Sequence, residues 1–452
     1  MADCAFPRGS GLGRTTRTAT GPGRLADRLR RRSRRRVPAG LRAAAMSGGP
    51  AASLRLPEVV ARLYSAGALA ELVDLRRTLH ADPELSLQEE RTSARLQRTL
   101  DELGVDGVTR VAGTGVVGRI PGRDRKAPPV AVRGDIDALP IQEDTGLPFA
   151  SRNQGVMHAC GHDVHASWTV AAARLLRDEP AAGDVLIVLQ PAEETGEGAT
   201  AILSTGVLDD VAAIFGAHVD LTFEVGQAMV QPGAVGAAAD RFEVELRGKG
   251  AHGARPHQGL DPIVGAAQVV SALQTVVSRR MPPDQPAVVT VGAIEAGTAH
   301  NVIPDRAVLK GTMRSLDPAI RKSLADEVRH VAESVAAACR LEARVRMLQG
   351  TPAVLNDRRA ASWASEAAAT VIGAESVRPL PVANMGGEDF AFYLQRIPGC
   401  FIRVGARRPG DPVVGAHTPY FAPAEEAIFV GGALLAAAAR RASAELAGVS
   451  GS

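Results

Sequence analysis

Apolar positions along this chain follow two rhythms, and the change between them near residue 236 divides the sequence. Over 56–103 they recur at helical spacing, broken by Asp82-Pro83-Glu84, which predicts two helices. Continuous apolar runs follow at 129–133, 185–189 and 212–217. Each is short and runs into a polar loop, the pattern of a buried strand, and a helix is expected from His162 through Leu176. Strands that alternate with helices predict a mostly parallel α/β sheet. In such sheets the ligand crevice lies beyond the carboxyl ends of the strands.

Past residue 236 the period becomes two, as in Phe242-Glu243-Val244-Glu245-Leu246, a strand with one solvated face. Strands at 288–294 and 307–313 and helices at 262–277 and 318–339 complete a β-α-β-β-α-β unit of about a hundred residues, similar to the ferredoxin-like motif. Near residue 350 the α/β rhythm resumes, with a strand at 401–404 and a closing helix at 424–445. The expected organisation is a leader (1–50), a catalytic α/β domain in two parts (51–235 and 349–446), an inserted domain (236–348) and a short tail (447–452). No internal repeat is present.

Composition changes this picture only at one end. With 452 residues and 45% apolar content the chain can bury a large core. No apolar run of 18 or more residues is free of charge or turn signals, so no membrane span is expected, and 428–439 reads as a buried terminal helix. The formal charge of +3 is misleading: the first 46 residues hold 12 Arg against Asp3 and Asp27, a net of +10, which leaves −7 for the rest. The basic balance therefore does not point the body of the protein at nucleic acid. The Arg-, Gly- and Pro-rich leader has the composition of a disordered segment. It resembles a transit peptide, but a start at Met46 or a basic binding arm fits as well. Cys4, Cys160, Cys339 and Cys400 form no C-x-x-C pair, which argues against a disulfide scaffold and for a reducing, cytoplasmic location.

Five short segments carry the candidate chemistry: Gly134-Asp135-Ile136-Asp137, His158-Ala159-Cys160-Gly161-His162-Asp163, Gln190-Pro191-Ala192-Glu193-Glu194, Gly216-Ala217-His218-Val219-Asp220 and Ala416-His417-Thr418-Pro419-Tyr420. Taken alone, each has a plain reading. A His at a strand end is more often structural, Cys160 is a small hydrophobe, a Glu pair is a solvated face, and Asp135 and Asp137 cap turns. Together, Cys, His and carboxylate at strand ends are what a zinc- or manganese-type site requires. Cys160 and His162, two apart in a Gly-containing loop, can face one point, and coordination would deprotonate the thiol. Consecutive Glu193 and Glu194 point to different sides of an extended chain. Glu194 can then bind metal while Glu193 acts as general base on the attacking water, a role worth about 10²–10⁴-fold.

In these motifs the chain resembles the amidohydrolase branch of the aminoacylase and carboxypeptidase-like dinuclear metallopeptidases, the branch of hippurate hydrolases and auxin-conjugate hydrolases. The likeness runs from about Leu75 to Ala433 and includes residues 158–163, 190–194, 248–257, Asn301-Val302-Ile303-Pro304, 386–390 and His417. It implies a three-layer α/β/α metallopeptidase-like catalytic domain with an inserted ferredoxin-like α+β domain that serves dimerisation. It also implies two divalent ions per subunit, Mn²⁺ or Zn²⁺, held by Cys160, His162, Glu194, His218 and His417. Glu193 is then the general base and Asp137 the carboxylate that orients a ligand.

By the same resemblance His252 reaches the active site of a partner subunit and stabilises the oxyanion, although alone it reads as a loop His. Asn301 and Arg314 match positions suited to binding a substrate carboxylate. Asn301 reads equally as a turn residue. The implied reaction is hydrolysis of the amide bond of a small-molecule N-acyl amino acid by a homodimer, with no nucleic-acid or membrane partner. The apolar helix at 264–277 is a candidate dimer surface, though core packing also explains it. Gly134 where the family often has Ala, Ala251 and Gly253 flanking His252, and Gly387 in place of a common Ser are small-for-small departures. Two rival readings remain. A Cys160-nucleophile hydrolase leaves Glu194, His218 and His417 unexplained, and a non-catalytic or heteromeric metal-binding subunit leaves Glu193 unexplained.

Overall fold

The structure is a computed structural model that describes residues 54–450. The readings of the leader, and the last two residues of the expected tail, fall outside the described residues. Tyr64-Ser65 interrupts the first helical stretch, because the Ser65 hydroxyl accepts the Ala68 N–H at 3.2 Å and caps a new helix. Three helices therefore stand where two were expected: α1 (Glu58–Leu63), α2 (Ala66–Ala81) and α3 (Glu90–Glu102). A hairpin of β1 (Asp106–Val111) and β2 (Gly115–Ile120) leads to β3 (Val130–Asp135), α4 (His162–Asp178), β4 (Val185–Gln190), α5 (Gly198–Ser204) and β5 (Ala213–Glu224). The short strands β6 (Ala228–Met229) and β7 (Gly233–Gly236) close this part.

The inserted unit comprises β8 (Ala238–Arg247), β9 (Ala251–His252), α6 (Pro262–Thr275), β10 (Ala287–Ala296), β11 (Val302–Ile303), β12 (Arg306–Ser315), α7 (Pro318–Ala338) and β13 (Glu342–Thr351). Its four long strands pair antiparallel in the order β10-β12-β8-β13, the ferredoxin-like arrangement. Both helices start on Asp-Pro: the Asp261 and Asp317 carboxylates accept first-turn N–H groups, and the proline after each needs no partner for a missing N–H. The chain then returns through β14 (Val354–Asn356), α8 (Arg358–Ile372), β15 (Val377–Arg378), α9 (Phe390–Leu394), β16 (Gly399–Arg407) and α10 (Glu426–Ser450).

The main sheet has eight strands in the order β1-β2-β4-β3-β5-β16-β6-β15. Its centre, β4-β3-β5-β16, is parallel, but β2 joins β4 antiparallel and β6 joins β16 antiparallel, so the sheet is more mixed than the apolar runs implied. Alternate residues of the central strands serve two cores. Val130 and Val132 pack with α2, α4, α8 and α10, whereas Ala131 faces the smaller layer of α5 and α9. Burial on both faces explains why these strands are apolar throughout.

Helix α10 is long and apolar enough to cross a membrane, yet 78% of its most apolar stretch is buried inside the fold. It continues to Ser450, beyond residue 446 where a tail was expected, since the Ala-, Leu- and Glu-rich sequence sustains it. Strand β5 likewise runs past His218 to Glu224, because β16 pairs with it there.

Candidate metal centre

Three central strands deliver polar residues to one end of the sheet: β3 ends at Asp135, β4 at Gln190, and β5 carries His218. Helix α4 begins at His162, directly after Gly161, whose φ of +89° turns the chain into the helix. A Cβ on Gly161 would lie 2.6 Å from a Val219 methyl, so the glycine also lets the Cys160 loop press against β5. Gly134 is similarly constrained: a Cβ there would lie 2.6 Å from the His165 carbonyl oxygen, so this departure from the family pattern sets how closely α4 approaches β3. Ala192 (φ +54°), next to Glu193, and His417 (φ +62°), itself an expected ligand, hold left-handed backbone without being glycine.

The five expected ligands converge. Cys160 Sγ lies 3.2 Å from His218 Nε2, and His218 Nδ1–H donates to the Val219 carbonyl at 2.7 Å, which leaves the Nε2 lone pair facing the thiol. His162 Nδ1–H donates to Asp137 Oδ1 at 3.1 Å, so its Nε2 lone pair also faces inward. Asp137 Oδ2 accepts from the Ser86 hydroxyl (2.7 Å) and the Glu194 N–H (3.0 Å), and so fixes one ligand's ring and another's backbone. Glu194 Oε1 meets His417 Nε2 at ion-pair distance, 3.4 Å. His417 arrives from far along the chain because its backbone N–H donates to the Ala159 carbonyl at 2.8 Å, next to Cys160.

The donor atoms of Cys160, His162 and His218, and those of Cys160, Glu194 and His417, each lie within 4.8 Å of one another, so the two triads share the thiol. His162 Nε2 and Glu194 Oε1 are buried without a hydrogen-bond partner. Two orphaned buried acceptors in one cluster of soft and hard donors fit a divalent cation.

Electrostatics separate the carboxylates. Burial opposes charge on Asp137, but hydrogen bonds led by that from His162 hold its pKa below the usual range. Burial also opposes charge on Asp135, yet His162, His165 and Arg133 around it hold it well below normal. Glu193 goes the other way: burial, then the nearby Glu388 and Asp389, push it well up. Its carboxylate oxygen lies 3.9 Å from His162 Nε2, at the edge of the donor cluster. Cys160 is pushed up to about 12, chiefly by burial. A nucleophilic cysteine needs the opposite shift, which weighs against Cys160 as the attacking group.

The remaining expected residues stand apart from this cluster. His252 lies on β9, exposed, with Nδ1 accepting the Ala254 N–H at 3.0 Å. Asn301 lies just before β11, whose Val302 pairs with His252, and its carbonyl accepts the Gly253 N–H at 2.7 Å. Arg314 on β12 donates to the Met313 carbonyl at 3.0 Å. His252 belongs to none of the close His, Cys and carboxylate groups among the described residues.

The structure adds residues for which the motifs implied no role. Arg133, fully buried, pairs with Asp135 (2.7 Å), Asp389 (2.9 Å) and Glu388 (3.2 Å), and donates to Gln190 (2.8 Å). Gln190 in turn donates to both oxygens of Asp389 at 2.9 Å. This hub joins β3, the start of the Glu193-Glu194 segment and the loop before α9. An Arg and an Asp inside the apolar run Val130-Ala131-Val132-Arg133-Gly134-Asp135 were the available signal. His165 was the other omission. It lies one helical turn after His162, within hydrogen-bond reach of Asp135 (2.6 Å).

Comparison with known proteins agrees with this architecture. Residues 131–441 match the model of peptidase family M20/M25/M40. N-acetyl-L-cysteine deacetylase of Bacillus subtilis (strain 168) is 41% identical over 373 residues, 82% of this chain and 88% of that protein. IAA-amino acid hydrolase ILR1-like 5 of Arabidopsis thaliana is 39% identical over 378 residues, 82% and 86% of the two chains. Among solved structures, a dinuclear metal-binding peptidase of the M20 family from Bacillus subtilis superposes with a TM-score of 0.73 at 38% identity, covering 83% of this chain and 98% of its own.

Proposed function

Because this chain belongs to peptidase family M20/M25/M40 and is a metal-dependent amidohydrolase, we propose that it hydrolyses the amide bond of N-acyl amino acids, releasing a carboxylic acid and an amino acid. The observation that carries this reading is the pair of orphaned acceptors, His162 Nε2 and Glu194 Oε1, grouped with Cys160, His218 and His417 beside a carboxylate of raised pKa. The deacetylase and hydrolase relatives, both named for N-acyl amino acid substrates, support the substrate class.

Cys160, His162, Glu194, His218 and His417 would hold two divalent ions, Mn²⁺ or Zn²⁺, with the Cys160 sulfur common to both triads. When bound, the ions supply Lewis acidity towards the acyl carbonyl and the attacking water. Glu193 takes a proton from that water and returns it to the leaving nitrogen, so the C–N bond breaks with loss of a neutral amine. Its raised pKa suits both steps, since a base must also give the proton back. Asp137 keeps the His162 lone pair directed at the centre.

The reading extends to a cytoplasmic homodimer. His252 and Asn301 are exposed at the β9–β11 turn, and His252 lies outside the donor cluster of its own chain, as expected if they serve a second subunit. Ile263 and Val264 expose an apolar face of α6 that suits such a contact.

The test is amino-acid release from acetyl, benzoyl and indole-acetyl conjugates, with metal-stripped and Mn²⁺- or Zn²⁺-reconstituted protein. Turnover that depends on reconstitution is expected. No release above background across the panel would overturn the substrate assignment.

A further inference from the structure

His165 has no place among the five ligands, yet it is fully buried beside two of them, His162 and His218, and stacks on Trp168 with ring centroids 4.5 Å apart. Its two nitrogens have different work. Nε2 is 3.0 Å from the Val219 backbone N–H, which can only donate, so Nε2 carries a lone pair there. Nδ1 is therefore the protonated nitrogen, and it donates to Asp135 Oδ1 at 2.6 Å. The other oxygen of Asp135 accepts from Arg133 at 2.7 Å, which holds the carboxylate in place.

Val219 is gripped at both backbone polar groups. Its N–H goes to His165, and its carbonyl accepts the Nδ1–H of His218 at 2.7 Å. The His165 ring also packs edge-on against His218, with centroids 4.6 Å apart. The chain of contacts thus runs from Arg133 through Asp135, His165 and the Val219 backbone to His218, and ends at Cys160, 3.2 Å from His218 Nε2.

We propose that His165 is a positioning residue, held as the Nδ1–H tautomer, that clamps Val219 and so fixes the orientation and tautomer with which His218 offers Nε2 to a metal ion. This rests on the metal reading above and names a residue on which that centre depends. A ligand role for His165 is the competing possibility, since its donor atoms lie within 4.8 Å of those of Asp135 and His162. The geometry opposes it, because both ring nitrogens are already engaged and neither has a lone pair to give a cation.

The experiment is a Co²⁺ titration of the metal-free full-length protein. It follows the thiolate-to-cobalt absorption that Cys160 should give, alongside ion stoichiometry and the melting temperature without metal. Three variants separate the possibilities. His165→Ala removes the clamp. His165→Asn reaches Asp135 but leaves no acceptor for the Val219 N–H. His165→Gln places an amide oxygen where Nε2 stood.

His165→Ala and His165→Asn should weaken Co²⁺ binding by about 10–100-fold at unchanged stoichiometry, and His165→Gln should recover most of that loss. Wild-type affinity in His165→Asn overturns the proposal, as does loss of one ion per chain that Gln does not restore, which would make His165 a ligand. If His165→Ala does not fold, the Asn and Gln pair still decides. Absence of the cobalt–thiolate band in the wild-type protein would instead defeat the metal reading itself. A band with no dependence on residue 165 defeats only the positioning role.

Discussion

Replacing Asp137 with Asn tests how the centre is held without removing a single ligand. Asp137 accepts three hydrogen bonds, from His162 Nδ1 (3.1 Å), Ser86 (2.7 Å) and the Glu194 N–H (3.0 Å). An amide has one oxygen to accept with, and its NH₂ must point at one of these donors. If the oxygen stays on Glu194 N–H, the NH₂ faces His162, whose ring then shifts its proton to Nε2, the atom that should bind the cation. If the amide turns over, the buried Glu194 N–H loses its acceptor and the adjacent ligand is displaced.

Both arrangements weaken metal binding. The expected loss is about 10–100-fold in affinity, or roughly 1.4–2.7 kcal/mol. The assay is competition against a chelator of known affinity, with far-UV circular dichroism to confirm the fold. An Asp137→Asn protein that folds and binds metal as tightly as wild type would refute the assignment of Asp137 as the group that orients His162.

Two further outcomes follow from the Arg133 hub. Arg133→Met leaves Asp135, Glu388 and Asp389 buried without their shared cation. It should cost about 3–5 kcal/mol in denaturant unfolding, and a loss under 1 kcal/mol would contradict the network. Burial, only partly offset by Arg133, raises Asp389 from 3.8 to about 7. The folded chain therefore keeps a proton that the unfolded chain releases between about pH 4 and 7, so this residue's contribution to stability falls as pH rises through that window. In metal-free protein the melting temperature of Asp389→Asn should gain on wild type from pH 4 to 7, and a pH-independent difference would count against the shift.

The strands that build the site were legible because burial on both faces forces continuous apolar runs, and the loops after them stood out as polar. The β-α-β-β-α-β order of the inserted unit was legible for the converse reason: its sheet has one solvated face, so Phe242 to Leu246 alternates with period two. The antiparallel edge was not. β1 reads Asp-Gly-Val-Thr-Arg-Val and is largely exposed, so burial leaves no pattern in it. The Arg133 hub was hidden because its partners Glu388 and Asp389 lie more than 250 residues away in sequence, and only the fold joins them. His165 looked like any residue inside an apolar helix. Its role depends on a backbone N–H of β5, which no side-chain motif records.

The most direct measurement pairs metal content with turnover in Glu193→Gln. The substitution removes the proton acceptor but touches none of Cys160, His162, Glu194, His218 and His417. The account predicts a protein that holds as many ions per chain as wild type and hydrolyses an N-acyl amino acid about 10²–10⁴-fold more slowly. Full metal content with unchanged turnover would contradict it.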